Sequence, residues 1–245
     1  KKIYLSPIIE GINISFEIRS GICEEIGWVE KGNLTCPICK NITDSSKIRD
    51  QFKAGKTTER LLAVVMEGNN GKTYRIPSIF EKQFITQEGV NVRRGSETLP
   101  KAFTGGSVIA WGLTKWADLF SNRQYNFLEL MVKKLNELKN NIQLSNDYYV
   151  AIFTYLGIFI DRLLPVNTSY GRWAVGRETL TPPFSKQAIP FVFDYPESNP
   201  FCESTGSAFN QCEWIVRYID SESSSNFYTK CNNSSSGERN QFPRK

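Results

Sequence analysis

The sequence predicts an α+β fold: an N-terminal region of β-hairpins and a cysteine knuckle, then a mainly helical region with a few strands. Three observations carry this. In 12–19 (INISFEIR), Ile14, Phe16 and Ile18 alternate with Asn13, Ser15 and Glu17, the period of a half-buried strand. Leu128, Met131, Leu135 and Leu138 recur at helical spacing along one stripe. Between these patterns, residues 87–107 are aperiodic and rich in Gly, Ser and Pro. The expected organisation is a β-rich, zinc-ribbon-like region over 1–90, a linker over 91–107 and a helical scaffold over 108–245.

Taken in order, 3–9 and 12–19 read as a hairpin turning at Glu10-Gly11. Lys31-Gly32-Asn33 is a second turn, followed by Cys36-Pro-Ile-Cys39. Two thiolates at this spacing can grip one face of a tetrahedral metal, with the tight turn aiming backbone N–H groups at the sulfurs. The same pair also suits a redox couple, although no βαβ pattern of the thioredoxin kind surrounds it. Zinc needs four ligands; Cys23 is a candidate third at long spacing and no fourth cysteine lies near, so the site is expected to be incomplete in this chain.

Thr43 or Asp44 is placed to cap a helix that Gly55 ends. Residues 58–68 (TERLLAVVMEG) and 72–77 read as strands joined at Asn70-Gly71. Pro77 or Ser78 opens a short helix through Phe84. Arg93, Arg94 and Lys101 in the loop that follows are candidates for phosphate contact, or for a solvated surface.

The stretch from Trp111 to Leu164 then predicts an amphipathic helix packed on a second, YYVAIFTYLGIFI (148–160), whose apolar residues on nearly every side call for cover all round. After it, Pro165, Gly171, Gly176, Pro182 and Pro183 forbid a long regular element. Arg172 and Arg177 flank Trp173, a pattern that suits stacking with phosphate binding or a Trp-anchored loop. Residues 189–195 read as a short buried strand. Residues 206–221 read as an amphipathic helix capped by Ser204 or Thr205, with Trp214, Ile215, Tyr218 and Ile219 as its apolar face. The segment FYTKC (227–231) suggests one last strand.

Composition narrows the chemistry. The 245 residues contain no histidine, which excludes a Ser-His-Asp or Cys-His nucleophile within this chain and leaves only Cys or carboxylate ligands for a metal. The net charge of +5 is compatible with nucleic acid without being diagnostic. The apolar run 148–160 falls short of the roughly 20 residues a bilayer requires. With no secretory pattern at the N-terminus, a cytoplasmic protein with reduced cysteines and no membrane partner is expected.

Several blocks together resemble the zinc-ribbon-containing adenine-specific DNA methyltransferases. They are Cys36-Pro-Ile-Cys39, 47–65 (KIRDQFKAGKTTERLLAVV), 71–78, 112–124 (GLTKWADLFSNRQ), 171–178 (GRWAVGRE) and 188–201 (AIPFVFDYPESNPF), in that family's order. The resemblance implies an S-adenosylmethionine-dependent enzyme of the restriction-modification kind, a zinc ribbon built partly from Cys36 and Cys39, and DNA as partner. Lys115, Trp116 and Arg123 in the fourth block join Arg172 and Arg177 as candidates for DNA contact.

The family's early glycine-rich cofactor motif and its Asp-Pro-Pro-Tyr motif have no counterpart in this sequence; the only double proline is Pro182-Pro183. The expectation is therefore a central segment that is not catalytic alone, with S-adenosylmethionine bound only through flanking segments or a companion polypeptide. Two alternatives stand beside it: a non-catalytic nucleic-acid-binding zinc module, and a decayed split-gene remnant.

Overall fold

The computed structural model describes residues 2–24, 26–86, 94–100, 107–142, 146–185, 188–204 and 206–223. The expected strand 227–231, together with Arg93, Lys101 and Thr205, lies outside these.

The fold is α+β, with small antiparallel sheets rather than one continuous sheet. Strands β1 (Ile3–Glu10) and β2 (Asn13–Ser20) form the first hairpin, with Ile9 opposite Ile14 and Gly11 at φ +61° in the turn. Strands β3 (Val29–Glu30), β4 (Asn33–Thr35) and β5 (Ile42–Thr43) make a three-stranded sheet in chain order. Its first turn puts Lys31 and Gly32 at positive φ, as a two-residue hairpin turn demands. Phe16 of β2 lies 6.1 Å from Trp28, which ties the two sheets together.

Helix α1 (Ser45–Lys53) follows Asp44, but the Asp44 side chain makes no capping bond; the amide of Ser45 donates instead to Asn33 Oδ1 at 3.0 Å. Strands β6 (Val64–Gly68) and β7 (Gly71–Arg75) form the next hairpin. Residues 58–63, expected in the first of these strands, are irregular because β7 has no residues left to pair with them. The turn is Asn69-Asn70 rather than Asn70-Gly71, with Gly71 opening β7 at φ +102°. Helix α2 (Ile79–Thr86) starts on a capping box. The Glu81 carboxylate accepts from the Ser78 amide at 2.8 Å, while the Glu81 amide donates to Ser78 Oγ at 3.3 Å.

The core lies in the second half of the chain. Leu99, Val108, Leu119, Tyr170 and Ile189 are buried together, with Leu113, Phe120 and Phe191 against them. Helix α3 (Ser107–Ala110) contributes Val108. Leu99 comes from the stretch that reads as a linker, and its amide donates to the Thr114 carbonyl at 2.8 Å. An aromatic cluster joins the core to α1: Trp111 stacks on Phe191 at 4.1 Å, and Phe52 meets both edge-on at 5.3 and 5.2 Å.

Helices α4 (Asn122–Asn141) and α5 (Asn146–Leu163) form the expected pair. Ser121 and Gln124 cap α4 reciprocally, and burial fades along its stripe from Leu128 to Leu138, which is 45% exposed. Helix α5 departs from expectation. Only 17% of the window within Asn146–Val166 is buried, and its outer side carries Asp147, Thr154, Asp161 and Arg162. That side is mixed, since Tyr148, Val150 and Ile158 are exposed beside these polar residues. By length and composition Asn146–Val166 suffices to cross a bilayer, so the apolar run counted from the sequence understates the helix.

Strands β8 (Arg172–Ala174) and β9 (Thr179–Thr181) form a short ribbon. Residues 189–195 are irregular, not a strand: Pro190 lacks an amide and no strand among the described residues pairs with them, although Ile189 is fully buried. Helix α6 (Ala208–Glu222) is capped by Ser207, whose Oγ accepts from the Asn210 amide at 3.1 Å. It turns Ala208, Gln211 and Ile215 inward and leaves Trp214, Tyr218 and Ile219 exposed, so its inward stripe runs through smaller residues than the sequence suggests.

Candidate functional site

Cys36 and Cys39 lie in the loop between β4 and β5. The loop is closed by the Cys36 amide donating to the Asn41 carbonyl and the Lys40 amide to the Cys36 carbonyl, each at 2.9 Å. Lys40 takes the left-handed conformation, φ +62°, that this closure needs. The amides of Cys39 and then Ile38, with a contact from the Cys39 thiol, hold the Cys36 thiol below its ordinary range. Among the described residues no group of three or more His, Cys, Asp or Glu side chains is placed to hold a metal ion.

The candidate DNA contacts fall in three places. Lys115 and Trp116 sit in a 3-10 turn, Trp116–Leu119, ahead of α4. The backbone there is fixed: the Lys115 amide donates to Asp118 Oδ2 at 2.9 Å and the Trp116 amide to the Glu97 carbonyl at 3.0 Å. Both side chains remain exposed.

Arg123 faces inward. Its guanidinium reaches Glu197 at 2.8 Å, Glu59 at 3.1 Å and the Ile85 carbonyl at 3.2 Å, and its side chain is only 18% exposed. Burial opposes its charge, yet Glu197 and Glu59 outweigh that and raise its pKa. Tyr195 donates to the other oxygen of Glu59 at 2.8 Å, and its pKa is raised by burial and by Glu59. Arg94 is likewise occupied, donating to the Ala117 and Phe120 carbonyls at 2.9 and 3.1 Å and to Asn122.

Arg172 and Arg177 share the β8–β9 ribbon and are exposed. Trp173 between them is not open for stacking on both faces, because the Lys72 ammonium lies over its ring at 5.3 Å. The ribbon is held at Glu178, a non-glycine residue at φ +46°. Lys72 donates to the Glu178 carbonyl at 2.5 Å and Tyr74 to its carboxylate at 2.8 Å. Burial and then Glu178 push the Tyr74 phenol up to about 12, so the donor stays protonated.

Two networks thus escape the sequence reading: Glu59, Tyr195 and Glu197 around Arg123, and Lys72 with Tyr74 on Glu178. The bonded partners are 64 to 136 residues apart, beyond any spacing rule.

Two open cavities stand out. One of about 340 Å³ is lined by Leu61, Phe80, Glu81, Phe84 and Ile85; the other, of about 200 Å³, is lined by Ser46, Arg49, Asp50, Lys53 and Ala110. The first offers one acid, already paired with Arg75 at 2.6 Å. Comparison of the chain with family models, curated proteins and solved structures gives no match.

Proposed function

We propose that this chain is the central segment of an S-adenosylmethionine-dependent, adenine-specific DNA methyltransferase. It contributes half a zinc ribbon and DNA-facing scaffold elements, and it does not catalyse alone. The observation that carries the zinc part is the Cys36–Cys39 pair in the tight loop between β4 and β5, two thiols at metal-type spacing where zinc requires four ligands. The colinear sequence blocks support the enzyme class.

Methyl transfer to an exocyclic amine also needs groups that accept its hydrogens and an aromatic surface for the extruded base. The sequence has no Asp-Pro-Pro-Tyr motif for those roles, so they fall to flanking sequence or a companion chain. DNA is the partner, and the chain acts in the cytoplasm without a membrane.

The test is transfer of labelled methyl groups to plasmid DNA by the purified chain. None is expected, and methylation by the chain alone overturns the proposal. Metal analysis of the same sample is expected to give less than one zinc per chain; stoichiometric zinc lost in Cys36→Ser overturns the half-site. A second reading, a non-catalytic nucleic-acid-binding module, is favoured by the exposed Arg172 and Arg177. Salt-dependent DNA binding without cofactor uptake, even with the flanking or companion segments present, would select it.

A further inference from the structure

We infer that the β8–β9 ribbon is the element that enters the major groove of duplex DNA, with Arg172 and Arg177 on the phosphate backbone and Lys72 and Tyr74 as the residues that position it. The inference rests on the DNA-facing reading above and assigns that role to one element.

The shape fits. Apart from Arg172 the strands themselves are half-buried, so the part free to reach outward is the turn at 175–177, carried on two strands about 4.8 Å apart. A major groove about 12 Å wide and about 8.5 Å deep admits a two-stranded ribbon of that size. The tip is presented outward: Val175 is 79% exposed, and Gly176 and Arg177 are exposed beside it.

The charges fit as well. Arg75, Arg123 and Arg217 each hold a carboxylate, whereas among the described residues the guanidinium groups of Arg172 and Arg177 have no such partner. Glu178, the ribbon's own acid, is turned to Tyr74. The two arginines therefore need no ion pair broken before they meet phosphate.

The ribbon is also pre-positioned. Trp173 and Leu180 are cross-strand partners on one face, and Lys72 covers the Trp173 ring. With Lys72 on the Glu178 carbonyl and Tyr74 on its carboxylate, the turn is fixed from the neighbouring β6–β7 hairpin. Ordering cost that would otherwise be paid on binding is met by the fold.

The experiment is fluorescence anisotropy of a labelled duplex with the full chain across a salt series, using folded variants verified by circular dichroism. Arg172→Ala/Arg177→Ala is expected to weaken binding at least tenfold and to lower the slope of log affinity against log salt by about 1.8, about 0.9 for each phosphate lost. Lys31→Ala/Lys133→Ala removes the same charge elsewhere and is expected to change the slope by less than about half of that. Tyr74→Phe keeps both arginines and is expected to weaken binding while leaving the slope unchanged, a split that mere loss of charge does not give.

If the wild-type chain binds duplex and the double arginine variant keeps its affinity and slope, this inference fails and the DNA reading survives. If the wild-type chain does not bind duplex, both fail. Binding of polyglutamate in place of duplex overturns the inference in favour of an acidic protein partner.

Discussion

Arg123 Nη2 lies 2.8 Å from a Glu197 carboxylate oxygen, joining the first turn of α4 to a residue 74 positions further along the chain. The same nitrogen reaches Glu59 at 3.1 Å, so one guanidinium binds three parts of the chain once the Ile85 carbonyl is included. This places Arg123 in the frame of the protein. Arg123→Ala leaves Glu59 and Glu197 facing each other without a cation. The expected loss is about 2–3 kcal/mol in urea unfolding, below the 3–5 kcal/mol of a fully buried pair because Glu59 is 42% exposed and Glu197 30%. Unchanged stability with weakened DNA binding would instead return Arg123 to a nucleic-acid role.

Glu81 carries a pH dependence of defined sign. Arg75 first, then the amide and hydroxyl of Ser78, lower its pKa from 4.5 to about 2. A depressed carboxylate pKa stabilises the folded state above the unfolded value and loses that contribution as pH falls through the folded one. The stability of the wild-type chain is therefore expected to decline between pH 4.5 and about 2 through this group. Glu81→Gln is expected to flatten that part of the curve, measured as thermal midpoint against pH. Equal slopes in the two proteins would show that the capping box is not held in solution.

Alkylation of Cys36 is expected to persist further toward acid pH than that of a free cysteine. Its thiolate is favoured by the amides of Cys39 and Ile38, and only the thiolate is the nucleophile. Iodoacetamide labelling followed by mass spectrometry across a pH series should place its half-point below that of free cysteine under the same conditions. Added zinc should slow labelling of Cys36 and Cys39 together. Protection of neither would argue that the knuckle does not bind the metal.

The α4 stripe separates what periodicity can and cannot say. Leu128, Met131, Leu135 and Leu138 do share one side of the helix, but Leu128 is 6% exposed and Leu138 45%. Leu128→Ala is expected to cost about 2–4 kcal/mol and Leu138→Ala about 1 kcal/mol or less, read as shifts in urea midpoint. Spacing gives the direction in which side chains point, whereas depth depends on what else arrives at that side.

The same limit explains α5 and α6. The sequence of α5 is apolar enough to suggest complete cover, but Asp147, Thr154 and Asp161 fall on a common side that water reaches. The hairpins are legible because their signals are local: alternation and a Lys-Gly turn. The Arg123 clamp and the hold on Glu178 are not, because their partners are joined only by the folded chain. The strand expected at 189–195 failed for a third reason: burial of Ile189 needs no sheet when Pro190 removes a donor.

Gly112 fixes the join between the two halves of the chain. It adopts φ +95°, and a Cβ built there would lie 2.8 Å from Lys53 Cγ and 3.2 Å from Lys53 Cα, at the end of α1. The Lys53 stem can swing aside, but its Cα cannot move without shifting the neighbouring Phe52, which packs on Trp111 at 5.3 Å. Gly112→Ala therefore adds left-handed backbone strain to a steric push on the aromatic cluster, together about 2–4 kcal/mol. Gly157 gives the contrasting case: it sits within α5 with nothing within 4 Å of an added Cβ. There Gly→Ala is expected to stabilise by about 0.5–1 kcal/mol, since alanine restricts the unfolded chain and favours helix. Thermal midpoints moving in opposite directions for the two substitutions would establish that α1 docks against Gly112. A neutral Gly112→Ala beside a stabilising Gly157→Ala would show that the docked arrangement of α1 is not maintained in solution.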